Sequence, residues 1–396
     1  MPDLCAKIYI SHGCPKGKLY LPIPVDFGEM VNYYRIFCMI ATSIVHVLFG
    51  IQIQLAVVYN DGNYTKEELM ADRLVKWAVL GPGTIARKFA DGLAGVPGSV
   101  LYAVGSRDIA RAKVFADTYG APVVYGSYEE LARDPDVDIV YVASPHTGHC
   151  EHTLLCLEHG KAVLCEKPMA LNAAQARKMA EAARANHVFM MEAMWSRFLP
   201  ASVYARKLAA EGAIGEVRML SADFSFTVPM NPESRLFSPA LAGGGLLDVG
   251  IYVMHLSASL FGATPEKAEA FGHIGPTGVD ENAALMLQYP GGKISSLTCG
   301  VHAQGPCTAS IIGTEGRIEL PTFWTADTVR LTKGGKTEEM KFPLDVNGFE
   351  YEIREAADCV RKSLVESPSL PLEDTIAILD TMDGFRRQWG LKYPGE

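Results

Sequence analysis

Lys167 and Tyr252 are two side chains that could take part in moving a proton, although a lysine at an ordinary turn, taken alone, is more often a surface residue. Lys167 lies in Glu166-Lys167-Pro168, directly after the β-rich run 162–165, and proline restricts its predecessor to extended backbone and ends the strand. A lysine at the carboxyl end of such a strand can polarise a hydroxyl or lower a neighbour's pKa. Tyr252 closes Gly243-Gly244-Gly245-Leu246-Leu247-Asp248-Val249-Gly250-Ile251-Tyr252, where the glycines permit a tight loop into a helix. Asp248 and Tyr252 are four residues apart, which predicts one shared helical face. A tyrosine titrates near pH ~10, so to accept a proton from an alcohol it needs a cation beside it. Taken alone, such a tyrosine is more often a core residue with a bonded hydroxyl.

A second group of residues is suited to binding a nucleotide. Gly81-Pro82-Gly83-Thr84-Ile85-Ala86 fits G-x-G-x-x-G/A: Gly81 for the turn, Gly83 for close approach of a pyrophosphate, Ala86 for helix-on-strand packing. It stands between an expected strand and helix, the context that gives the motif meaning. The end of the next strand reads Gly105-Ser106-Arg107-Asp108, with Arg111 a turn later. An acid at that strand end binds a ribose hydroxyl, whereas Arg107 and Arg111 suit a 2′-phosphate, so NADP is the expected cofactor. Asp108 is expected to cap the following helix. Ser144-Pro145-His146-Thr147-Gly148-His149 follows a further strand. His146 and His149 have no carboxylate or thiolate to complete a ligand set, so cofactor contact or helix capping is expected and a metal is not.

These residues need a scaffold, and the pattern supplies one. Runs 75–80, 100–104, 139–143 and 162–165 read as buried strands separated by helices, which implies βαβ units and a parallel sheet. Beyond residue 198 the runs 216–226, 267–273, 283–289, 293–301 and 308–320 partly alternate polar and apolar residues and have few helices between them, which implies an antiparallel sheet with one covered face. Helices are expected near 349–363 and 372–389. The expected fold class is α/β, an N-terminal doubly wound Rossmann domain (70–195) followed by an α+β domain on a large, mostly antiparallel open sheet (196–396).

Composition excludes several alternatives. With 48% hydrophobic and 20% charged residues the 396-residue chain is not disordered, and its net charge of −9 argues against nucleic acid and against a polybasic membrane patch. Nine cysteines without a CxxC pair fit a reducing, cytoplasmic setting. The leader, residues 1–69, is the anomaly. Ile36 to Tyr59 contains no Asp, Glu, Lys or Arg and is long enough to span a bilayer, yet His46, Gln52 and Gln54 interrupt it and no basic cluster flanks it. A dispensable extension is the expectation, a membrane anchor the alternative.

In order, the GxGxxA turn, the EKP motif and the GGGxxDxG motif resemble the Gfo/Idh/MocA family of oxidoreductases. The Ser106-Arg107-Asp108 turn, the stretch from Met191 to Pro200 and the Tyr at 252 resemble its dimeric dihydrodiol dehydrogenase and NADP-dependent D-xylose dehydrogenase branch. The resemblance implies hydride transfer between a CH–OH group of a sugar or trans-dihydrodiol and NADP, with Lys167 and Tyr252 as the catalytic pair and Asp248 in support. It implies cofactor contacts from Gly81, Gly83, Thr84, Ile85 and Ala86, from Ser106, Arg107 and Arg111, and from Pro145, His146 and His149. Glu166, Lys167, Trp195 and Arg197 complete the expected cofactor set. It also implies a homodimer. A non-catalytic NADP-binding sensor or repressor is the rival reading.

Overall fold

The computed structural model describes residues 73–394 and 396, together with three short strands in the leader. Those strands are β1 (Lys7–Ile10), β2 (Lys18–Tyr20) and β3 (Ile53–Gln54), an antiparallel sheet with β1 in the middle. Apart from β3, the apolar run 36–59 lies outside the described residues. Met1–Leu69 and Met70–Glu396 are separate compact units.

The second unit opens with six parallel strands: β4 (Val75–Leu80), β5 (Ser99–Gly105), β6 (Val123–Tyr125), β7 (Ile139–Val142), β8 (Ala162–Glu166) and β9 (Met190–Ala193). Their spatial order is β6-β5-β4-β7-β8-β9. The order reverses between β4 and β7, and ligands of such sheets bind in the crevice at that point. Strands β7, β8 and β9 are buried at every residue, as strands covered on both faces must be. Helices α1 (Thr84–Leu93), α2 (Ile109–Tyr119), α3 (Tyr128–Arg133), α4 (His149–Glu158) and α5 (Ala173–Ala185) connect them.

After α6 (Pro200–Ala210) the chain builds an eight-stranded sheet: β10 (Val217–Ser225), β11 (Lys267–Ile274), β12 (Asp280–Tyr289), β13 (Lys293–Gly300), β14 (Ala309–Gly313), β15 (Gly316–Leu320), β16 (Thr328–Lys333) and β17 (Lys336–Lys341). The order is β11-β12-β13-β10-β14-β15-β16-β17, and all neighbours are antiparallel except β10 and β13. The expected single strand 308–320 is instead the hairpin β14–β15. Gly313 marks the break, where a Cβ would lie 2.2 Å from the Ile214 carbonyl oxygen. The hairpin β16–β17 was not anticipated, although Gly334-Gly335, both with positive φ, is a strong two-residue turn signal. Helix α7 (Ile251–Phe261) covers one face of the sheet; it is buried from Ile251 to Ala258, on all sides. On the other face Phe271 is 82% exposed, with Met286 and Met219 also open. Helices α8 (Phe349–Arg361) and α9 (Leu372–Trp389) return to the first domain. There Phe349 packs against Gly92 of α1, and Asn347 Nδ2 donates to the Lys88 carbonyl at 2.8 Å.

Candidate active site

The glycine turn after β4 is built as its sequence requires. Gly81 has φ +89°, and a Cβ there would sit 3.1 Å from Ala143 O and Ser144 N, so strand β7 leaves no room for a side chain. Gly83 is the N-cap of α1 and supplies no side-chain cap, and a Cβ on it would meet nothing within 4 Å. The first-turn amides of α1 therefore face open space beside a cleft of about 460 Å³ lined by Pro82, Gly83, Thr84, Arg87, Ala110 and Arg111, among others. Helix-terminal amides with two guanidinium groups suit a dinucleotide's phosphates, so the residues present fit that cofactor. Ala86 is fully buried beneath the helix and Ile85 half-buried. Ser106 is buried and its hydroxyl accepts from Asp108 N. Asp108 caps α2, accepting from Ala110 N at 3.0 Å and Arg111 N at 3.3 Å, while Arg107 stands exposed on the same turn. Arg87 escaped sequence reasoning because the fingerprint leaves its position unspecified.

The second cluster spans both domains. Lys167 leaves the end of β8, and its Nζ donates to the Asp248 carbonyl oxygen at 2.7 Å and to Asp248 Oδ1 at 3.1 Å. The same Nζ lies 5.0 Å from the centre of the Tyr252 ring. Asp248 does not stand on a regular helical face with Tyr252, as the spacing predicts, but in a π-helical turn, Leu246–Gly250, that leads into α7. Gly244, φ +121°, makes this entry possible: a Cβ would fall 2.2 Å from Asp280 Oδ1, while Asp280 Oδ2 accepts from Leu246 N. Arg235 braces Asp248 from the other side, with Nη1 2.7 Å from Oδ1. No motif marked Arg235; it comes from the loop after β10. The Trp195 indole donates to the Tyr252 hydroxyl oxygen at 3.0 Å and its ring stacks on Phe349.

Charge balance follows from these contacts. Burial pushes Asp248 up, but Lys167 and Arg235 outweigh it and hold the carboxylate well below its usual range. Burial also disfavours the Lys167 ammonium, yet Asp248, Tyr252 and Glu166 keep it raised. Tyr252 departs from the expected lowered pKa: burial pushes the phenol up to about 12, against the opposing pull of Lys167 and the Trp195 hydrogen bond. His146, half-buried on the turn after β7, is pushed down to about 3 by burial and by His149, and is neutral near pH 7.

Three residues expected at the cofactor are otherwise engaged. His149 is fully buried, its ring nitrogens 2.8 Å from Pro168 O and 2.9 Å from Ser144 O, so it fixes the loops around Lys167. Glu166 is buried and accepts from the Tyr141 hydroxyl and from Lys167 N. Arg197 donates to Ser369 O at 2.8 Å and pairs with Asp374 at 3.3 Å, tying down the approach to α9. Trp195 is turned to Tyr252, and Pro145 is exposed beside His146. Among the described residues no group of three or more His, Cys, Asp or Glu is placed to hold a metal. Sequence reasoning also missed the buried tie beneath the site, where Glu192 Oε2 lies 2.8 Å from His255 Nε2 on α7 and accepts from Thr375 on α9.

Residues 75–194 match the family model described as an oxidoreductase family with an NAD-binding Rossmann fold, and residues 202–319 match the GFO/IDH/MocA C-terminal domain. The trans-1,2-dihydrobenzene-1,2-diol dehydrogenase of Mus musculus is 40% identical over 333 residues, 81% of this chain and 98% of that protein. The Homo sapiens enzyme of the same name is 39% identical with the same coverage. Among solved structures, an aldose-aldose oxidoreductase from Caulobacter crescentus superposes with a TM-score of 0.73 at 27% identity, covering 80% of this chain and 98% of that one. A 3-ketoreductase from Actinomadura kijaniata, in complex with NADP and TDP-benzene, gives 0.70 at 27% identity, covering 79% and 97%. A nucleotide crevice beside a buried lysine–aspartate–tyrosine cluster, on this pair of sheets and with these relatives, has one reading: the chain belongs to the Gfo/Idh/MocA family of oxidoreductases.

Proposed function

We propose that the protein is an NADP-dependent dehydrogenase that oxidises a secondary alcohol of a trans-dihydrodiol or a sugar, or reduces the corresponding carbonyl. The carrying observation is Lys167 Nζ held on Asp248 and set 5.0 Å from the Tyr252 ring, at the carboxyl edge of the parallel sheet. The dihydrodiol dehydrogenase relatives favour the diol, and the aldose-aldose oxidoreductase the sugar. When bound, the nicotinamide supplies the site that takes or gives the hydride. Gly83, Thr84 and the first-turn amides would hold the pyrophosphate, and Arg107, Arg111 and Arg87 the 2′-phosphate.

Tyr252 takes the hydroxyl proton in oxidation and returns it in reduction. Lys167 stabilises both the tyrosinate and the alkoxide that develops on the substrate. Asp248 stays ionised and orients Lys167, and Arg235 pairs with the same carboxylate from the other side. His146, neutral at working pH, would contact the cofactor beside Lys167. The open sheet face bearing Phe271, Met286 and Met219 is the natural surface for a homodimer, and the six thiols among the described residues suit the cytoplasm. The test is NADP⁺ reduction over a panel of dihydrodiols and aldoses, followed at the nicotinamide absorbance. Turnover of at least one class, lost in Lys167→Met and Tyr252→Phe, is expected. Turnover that survives both substitutions would overturn the reading.

A further inference from the structure

Lys167 and Asp248 come from different domains, and their contact is only as exact as the two loops that carry them. One loop runs from Lys167 to Asn172, between β8 and α5; the other is Gly243–Gly245, before the π turn. Three successive glycines offer no side chains by which the second loop could be held, so groups that grip its backbone set its place. Asp280 accepts from Leu246 N at one end. At the other end the Tyr393 hydroxyl donates to the Gly243 carbonyl oxygen at 2.7 Å. Tyr393 lies in the segment after α9, 1% exposed and 150 residues along the chain from its partner.

Arg386, near the end of α9, reaches the first loop. Its Nη2 donates to the Leu171 carbonyl oxygen at 3.0 Å, and its guanidinium lies 5.1 Å from the centre of the Tyr393 ring. Two carboxylates hold that guanidinium in place, Asp383 Oδ1 at 2.6 Å from Nη2 and Glu396 Oε2 at 2.7 Å from Nη1. Each also bonds to the end of the first loop: Asp383 Oδ2 accepts from Ala173 N at 2.9 Å, and Glu396 Oε1 from Asn172 Nδ2 at 2.8 Å. Arg386 is buried, and its Nε has no partner. A buried ion pair of this kind is seldom more stabilising than apolar side chains of the same volume. What it supplies is fixed geometry, since a planar fork bonded at several points has little freedom left.

We propose that Arg386 and Tyr393 are positioning residues for the reaction: through Leu171 and Gly243 they set the loop of Lys167 against the turn of Asp248, and so fix where Lys167 Nζ meets Asp248. Neither touches the reacting atoms. The inference rests on the catalytic reading of Lys167 and Tyr252.

Tyr393→Phe removes only the hydroxyl, and Arg386→Lys keeps the charge but loses the fork. In the full chain, well below Tm, each should lower kcat about tenfold with NADP⁺ affinity unchanged, within the roughly hundredfold that a misplacement of about 1 Å can cost. Combined with Lys167→Met, Tyr393→Phe should add little further loss, because it acts through that lysine. Hydrogen exchange of the protein alone is a second readout: amides 244–250 should exchange faster in Tyr393→Phe, while those of β4 and β7 keep wild-type rates. Arg177→Met, which breaks a surface ion pair between α5 and α9, should change neither kcat nor this exchange. Wild-type kcat in Tyr393→Phe, or a loss fully additive with that of Lys167→Met, would make the clamp structural only and overturn the proposal. Wild-type turnover in Lys167→Met would overturn the catalytic reading itself, and this proposal with it.

Discussion

Lys167 has two duties. Its Nζ is bonded to both the backbone and the side chain of Asp248, and it is the cation nearest the Tyr252 ring. Lys167→Met and Tyr252→Phe should each lower kcat by about a hundredfold or more, and the double variant should lose little beyond the worse single one, since both serve one proton transfer. NADP⁺ affinity, measured by fluorescence titration, should hardly change in Tyr252→Phe. With the phenol at about 12, the basic form falls tenfold for each pH unit below that value. Oxidation should therefore climb steadily through the alkaline range, while reduction, which needs the protonated phenol, stays level near neutrality. A steep acid limb from His146 is not expected, because that imidazole is already neutral. Glu352 gives a pH effect on stability instead. It is fully buried, both oxygens lack partners among the described residues, and burial with Glu166 and Glu192 nearby raises it well above an ordinary carboxyl. The folded protein keeps a proton there that the unfolded chain releases, so stability falls as pH rises above the ordinary carboxyl range. Glu352→Gln should match wild type at low pH and exceed it by about 1–3 kcal/mol at high pH in urea unfolding.

At the scale of the element, the two glycines of one turn do different work, and substitution separates them. Gly81→Ala forces a side chain into a positive-φ site against β7 and should cost about 1–3 kcal/mol of stability. Gly83→Ala has open space before it, so unfolding should be nearly unchanged while NADP⁺ binding weakens. The reverse outcome would remove the turn from the phosphate site. Arg107→Ala and Arg111→Ala should weaken NADP⁺ more than NAD⁺, roughly tenfold or more for each contact with the 2′-phosphate. What the sequence made legible at this scale was whatever rests on local backbone needs: the glycine turn, the Asp108 cap and the strand ending at Lys167. Arg235, the Glu192–His255 tie and the buried duties of His149 and Arg197 were hidden because each depends on partners that only the fold brings together, from Asp248, 13 residues from Arg235, to Asp374, 177 residues from Arg197. The π turn was hidden too: the spacing of Asp248 and Tyr252 fits an ordinary helix, and the packing of Gly244 on Asp280 at the entry to the wider turn is made only in the fold.

At the scale of the molecule, periodicity separated a parallel sheet from an antiparallel one, and both are present. It misjudged the far edge of the second sheet, where the strands are short and β17 is largely exposed, so little burial pattern is written there. A chain beginning at Met70 should fold and keep its activity, since Met1–Leu69 is a separate unit; aggregation of that shorter chain alone would contradict this. Phe271→Glu with Met286→Lys should convert the proposed dimer to a monomer in sedimentation analysis without loss of fold.

The tie between Lys167 and Asp248 has one more consequence. These residues belong to different domains, and with Glu192 bonded to His255 two polar bonds rivet the halves together at the floor of the crevice. A floor fixed in this way gives a ligand no jaw to close. Discrimination between alcohols then falls on the rim, through which shapes can descend to the rivets. Amides 246–252 should exchange with solvent only when the whole domain pair unfolds, with or without a ligand, like the bed of a vice rather than its moving arm.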